Sequence, residues 1–104
     1  MAWIILLLAG ISEVAWAVGL KYTEGFTKPL PSIITVCCLI VSFFLLGSSL
    51  RTLPLSIAYG IWVGIGAVGT AILSVYLFNE SMSALKMISL CLIVLGILGM
   101  KVSA

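Results

Sequence analysis

Four long apolar runs separated by short polar breaks organise this chain. They cover residues 2–20, 30–50, 55–78 and 84–101. Each is close to the ~20 residues that a helix needs to cross the hydrocarbon core of a bilayer. The first run holds one charge, Glu13. The second and third hold none. The fourth carries Lys86 and Lys101 near its ends, where long side chains can snorkel to the headgroups. Transmembrane β-strands instead alternate apolar and polar residues over about 10 positions. Continuous apolar runs therefore predict four transmembrane helices.

The breaks carry turn chemistry. Lys21 to Pro31 holds Lys21, Glu24, Gly25, Lys28, Pro29 and Pro31, a polar turn-rich loop. Arg51-Thr52-Leu53-Pro54 is a short second connection, with Pro54 suited to the first turn of helix three. Asn79-Glu80-Ser81 forms the third. Ser81 or Ser83 is the candidate N-cap of helix four. Such short connections leave no room for a soluble domain, so residues 1–104 read as one all-α integral membrane domain.

Composition strengthens this picture. Of 104 residues, 63% are hydrophobic and 8% charged, against about 25% charged in soluble chains. The mean hydropathy is +1.40. Residues 1–20 differ from a cleaved leader, because no Lys or Arg precedes the apolar run and a glutamate interrupts it. Cys37, Cys38 and Cys91 all fall within spans and lack metal-type spacing, so they read as small hydrophobes. The chain has no histidine, which excludes histidine relays and most metal sites. No nucleophile–base arrangement or cofactor loop is visible. An enzyme, a cofactor and a nucleic-acid partner are not expected.

Charge bears on topology. One membrane face holds the N-terminus, Arg51 and Lys101, and the other holds Lys21, Lys28 and Lys86. The α-amino group cancels the difference of one basic side chain. Orientation follows the lysine and arginine bias of loops, so this chain carries weak instructions and could insert both ways. Two oppositely oriented copies would form an inverted pair, the symmetry that many transporters obtain by internal repetition.

Glu13 is the focus of the chemistry. An ionised side chain in mid-span costs roughly 2.5–3.5 kcal/mol on insertion scales. No intramembrane Lys or Arg is available to pair with it. Its partner must be a proton, a hydroxyl or amide donor, or a cation that comes and goes. Ala9, Gly10, Trp16 and Ala17 share its helix face. The three small residues would leave open volume beside the carboxylate, with Trp16 as an aromatic wall.

Other spans add polar groups. Ser42, near the middle of helix two, either bonds its own helix one turn back or serves the carboxylate or the substrate. Tyr59 and Trp62 lie three residues apart on helix three, and their O–H and N–H groups need partners. Tyr59 is close enough to a helix end to serve instead as an interfacial anchor. In Gly60-Ile61-Trp62-Val63-Gly64-Ile65-Gly66-Ala67-Val68-Gly69, Gly60 and Gly64 suit close helix contact. Gly64 and Gly66 could also form a hinge, with static packing as the alternative. Helix four reads as an association or lipid-facing helix.

One 104-residue chain cannot easily surround a substrate path. Two copies would bring two Glu13 carboxylates to a shared site, where they would titrate as a coupled pair. Entering cations would displace protons, and protons would displace cations. Joined to a rocking dimer, this competition amounts to cation/proton antiport by alternating access. The rival from another class is an accessory membrane subunit whose carboxylate only associates helices.

At these residues the chain resembles the small multidrug resistance family over its full length. Ala58-Tyr59-Gly60-Ile61-Trp62-Val63-Gly64-Ile65-Gly66 is similar to the helix-three signature, and Glu13 matches the helix-one glutamate. The resemblance implies a multi-pass protein of the bacterial inner membrane, four short helices and an antiparallel dual-topology dimer. A homodimer is the expectation, and paired heterodimers also occur in the family. Gly10-Ile11-Ser12-Glu13-Val14-Ala15-Trp16-Ala17-Val18-Gly19-Leu20-Lys21, with Trp16, resembles the guanidinium exporters. That implies Glu13 as the site for proton or guanidinium, Ser42 and Trp62 as hydrogen-bond partners fixing the carboxylate, Tyr59 as a pocket or gate residue and Trp16 as a pocket wall. Ser56 and Val63 stand where those exporters more often carry Gly and Thr. The alternative within the family is export of quaternary ammonium and lipophilic aromatic cations.

Overall fold

All four expected spans are helical in the computed structural model, which describes residues 1–104. They are α1 (Ala2–Tyr22), α2 (Pro29–Ser49), α3 (Leu55–Leu77) and α4 (Ala84–Ser103). At about 1.5 Å per residue, helices of 20 to 23 residues are long enough for the ~30 Å hydrocarbon core. Together they make a multi-pass membrane protein.

The boundaries shift for local reasons. Helix α1 runs two residues past the expected end and stops at Thr23. That hydroxyl donates to Leu20 O at 2.7 Å and accepts the Phe26 N–H at 3.2 Å. Glu24, Gly25 and Phe26 then turn through left-handed backbone, with φ of 47°, 73° and 65°. Only the glycine does so without a Cβ penalty. Helix α2 starts at Pro29, so Pro29 and Pro31 belong to its first turn rather than to the loop. Proline is well placed there because the first N–H groups of a helix lack intrahelical acceptors. Pro54 is correspondingly moved outward: it is the N-cap of α3, and its carbonyl accepts the Ala58 N–H at 3.0 Å. Asn79, at φ 55°, turns the chain out of α3. Ser83 rather than Ser81 caps α4, accepting the Lys86 N–H at 3.1 Å.

Helix α1 lies between α2 and α3, and α4 packs along α3. Small residues set these approaches. Ile65 of α3 fills the space over Gly10 of α1, and Val14 of α1 fills the space over Gly69 of α3. On another face of α3, Gly64 receives Ile97 of α4 and Gly60 receives Met100. The apolar core gathers Leu6, Ala9, Ala58, Ile61 and Trp62. Helix α3 is unbroken from Leu55 to Leu77 across Gly64 and Gly66.

The chain is a slab of 40 × 34 × 17 Å, at its thinnest under two helix diameters of ~10–12 Å. Helix α4 has no buried residue. At one end of the slab the Lys21 ammonium lies 5.0 Å from the Phe78 ring centroid, and at the other Lys101 lies 5.6 Å from Trp3. Both lysines sit in the last turn of their helices, where cations also complement the helix dipole.

Candidate functional site

Three helices place the expected residues around one point. Glu13 and Trp16 come from α1, Ser42 from α2, and Tyr59 and Trp62 from α3. Glu13, Trp16, Tyr59 and Trp62 line one groove together with Phe43 and Val63. Its volume is about 550 Å³. The Trp62 ring meets Phe43 at 5.6 Å and Tyr59 at 5.7 Å between centroids, both tilted. Such tilted pairs suit the ring quadrupoles. Tyr59 is about half exposed, whereas Trp62 is buried.

The hydrogen bonds of Ser42 and Trp62 do not run to the carboxylate. Ser42 Oγ donates to Ala9 O at 2.8 Å. Trp62 Nε1 donates to Ser42 Oγ at 2.9 Å and is 3.2 Å from the same Ala9 carbonyl. This corrects the expectation that both side chains fix Glu13 directly. Their shared acceptor is a backbone carbonyl one turn before Glu13. The arrangement ties α1, α2 and α3 together at the level of the site. It also answers the alternatives for Ser42, which bonds neither its own helix nor the carboxylate. The physical reason is satisfaction: a buried indole N–H and hydroxyl need acceptors, and the Ala9 carbonyl accepts from both.

Glu13 itself is partly buried and has no ion partner. The two ion pairs, Lys28–Glu24 at 3.6 Å and Lys86–Glu80 at 3.5 Å, lie outside the middle of the spans. Glu13 Oε1 is buried without a hydrogen-bond partner, and so is Trp16 Nε1. A buried polar group left unpaired costs roughly 1–3 kcal/mol, and more if charged. The carboxylate lies against Gly66, where a Cβ would collide with it. Gly66 therefore acts as space for Glu13. Gly64, the other expected hinge residue, is occupied by α4.

Gly10 departs from expectation. It does not leave open volume beside the carboxylate, because Ile65 takes that space. It lines neither groove that includes Glu13. Ala17 does: it lies with Glu13, Val63, Gly66 and Thr70 in a second groove that shares Glu13 and Val63 with the first. Phe43 and Thr70 were missed from sequence. Phe43 is one more apolar residue in an apolar span. Thr70 is signalled only by its spacing, one turn beyond Gly66. Nowhere do three metal-ligating side chains converge.

The site can therefore offer a carboxylate without a fixed cation, beside aromatic faces and within apolar helices. That chemistry suits a guest carrying positive charge. A family model described as Small Multidrug Resistance protein matches residues 1–93. Similar full-length relatives include a guanidinium exporter of Salmonella typhimurium, 56% identical over 104 residues, which span 100% of this chain and 99% of that protein. Guanidinium exporters of Citrobacter freundii and Escherichia coli are 55% and 54% identical over 103 residues. In the former case the match covers 99% of this chain and 98% of the relative.

Proposed function

The chain belongs to the small multidrug resistance family, and from that premise we propose that it exports guanidinium ion and small guanidinyl cations in exchange for protons. Membership places it among multi-pass transporters of the bacterial inner membrane rather than among enzymes. The observation that carries the proposal is Glu13: a mid-span carboxylate with no ion partner and an unpaired oxygen.

Guanidinium is planar, and two of its N–H groups match the two oxygens of a carboxylate. A proton competes for the same oxygens. Whichever guest is bound, the charge is neutralised and the cost of crossing the apolar interior falls. The full-length relatives named as guanidinium exporters support this substrate.

The proposed working unit is an antiparallel homodimer. A slab only 17 Å thick cannot enclose a path on its own, and α4 has a whole face without a partner within the chain. Near-equal basic counts on the two membrane faces favour insertion in both orientations. Two Glu13 carboxylates would then share one central site and titrate as a pair. Bending of α3 near Gly64 and Gly66 would move the α4 contact and the carboxylate together, since Ile97 and Glu13 occupy those two positions.

A second reading draws on the groove itself. Trp16, Phe43, Tyr59 and Trp62 line it, and aromatic faces attract lipophilic cations through cation–π contact. Export of quaternary ammonium cations would use the same carboxylate. Purified protein in proteoliposomes separates the readings. An inward guanidinium gradient should drive protons out, and a quaternary ammonium gradient should do so weakly. Coupling to the quaternary ammonium alone would select the second reading, and coupling to neither cation would refute both.

A further inference from the structure

Most serines within these helices spend their hydroxyl on the preceding turn. Ser12, Ser48, Ser74 and Ser89 each donate to the carbonyl four residues back, the usual outcome for a hydroxyl in an apolar helix. Thr70 does not. Its Oγ1 is buried and has no hydrogen-bond partner. Thr35 is also unpaired, but its hydroxyl fills the space over Gly19, so packing accounts for it. Thr70 is not among the side chains nearest the space over any glycine.

Position gives the unpaired hydroxyl a use. Thr70 stands one turn beyond Gly66, and Gly66 is where the Glu13 carboxylate rests. Thr70 and Glu13 line the same groove, with Ala17, Gly66, Ala67 and Ala71 as its small walls. Glu13 and Val63 border both this groove and the aromatic one. Glu13 and Thr70, each with an unpaired buried oxygen, therefore border one small-walled groove. Neither has a donor within the chain.

We propose that Thr70 is a substrate-binding residue: its hydroxyl oxygen accepts a hydrogen bond from an N–H of the guanidinium held by Glu13. This rests on the export reading given above. Guanidinium carries six N–H donors and a carboxylate engages one edge of the plane. The remaining donors lose water in the membrane interior and need acceptors. Thr70 supplies one. The guest would then relieve two unpaired oxygens at once. A quaternary ammonium cation has no N–H and gains nothing from this group, so Thr70 favours the smaller, donor-rich substrate.

The test uses the full-length protein in detergent, titrated with guanidinium chloride at fixed pH. Thr70→Val keeps the shape and removes the hydroxyl. Guanidinium binding should weaken about 10- to 100-fold, the range of one hydrogen bond to a charged group. Thr70→Ser should bind nearly as wild type, and the pH midpoint for Glu13 protonation should stay unchanged in both. Wild-type affinity in Thr70→Val would overturn the proposal. Equal weakening in Thr70→Ser would also overturn it, since shape rather than the hydroxyl would be responsible. A moved midpoint would do the same by assigning the effect to the carboxylate. If Thr70→Val does not elute as wild type, Thr70→Ala gives the same comparison. Wild-type protein that binds no guanidinium would refute the export reading itself, a result separate from any of these.

Discussion

Gly66 of α3 lies against the carboxylate of Glu13 of α1, so closely that a single added carbon would occupy the same space. The position of the acid is thus set by an absence. Replacing Gly66 with alanine forces either the carboxylate or α3 to move. Overpacking of this kind costs about 1–3 kcal/mol. Gly66→Ala should remain helical, melt at a lower temperature, and bind guanidinium at least tenfold more weakly. Wild-type affinity in this variant would show that the carboxylate moves without consequence.

Ser42, Trp62 and the Ala9 carbonyl form the one polar junction shared by α1, α2 and α3. Ser42→Ala leaves Trp62 Nε1 with Ala9 O as acceptor, so it should cost only about 1 kcal/mol of stability. Trp62→Phe removes the indole donor and part of the groove wall, and should cost more. The two losses should not add, because the groups share an acceptor. A double-mutant cycle on thermal unfolding measures this. Strict additivity would mean that the three groups act independently.

Sequence made the spans legible because run length alone decides whether a helix can cross lipid. It made Glu13 legible because a charge among apolar residues stands out. Ser42, Tyr59 and Trp62 were visible for the same reason. What they bond to was not. Their acceptor is the backbone of Ala9, and every residue carries the same carbonyl, so no residue type marked it. Helix-face geometry placed Gly10 beside Glu13 but could not reveal that Ile65 fills its space. Phe43 was hidden because apolar residues surround it in sequence. Pro29 and Pro31 suit a loop and a first helical turn equally well, so residue type alone does not place the start of α2.

Orientation gives a prediction that does not touch the site. With basic side chains nearly balanced between faces, a reporter fused after Ala104 should be found on both sides of the membrane. Adding two lysines to the connection between α2 and α3 should shift the population toward one orientation, with that connection cytoplasmic. Export activity should fall with it. Activity unchanged by a fully one-sided population would contradict the antiparallel dimer.

Competition at Glu13 fixes the sign of the pH dependence. Protonation removes the negative charge that holds the cation, so acid should weaken guanidinium binding. For each proton displaced, the apparent Kd should rise roughly tenfold per pH unit in the acid range, by linkage. At alkaline pH the Kd should become flat. A Kd independent of pH throughout would mean that proton and cation occupy different places.

Proton release on guanidinium addition tests the central claim most directly. Purified protein in weakly buffered detergent solution, held at a pH where Glu13 is partly protonated, should acidify the medium as guanidinium binds. Glu13→Gln should remain folded and release nothing. Binding without proton release in the wild type, or release that survives in Glu13→Gln, would contradict an exchange of guests at this carboxylate.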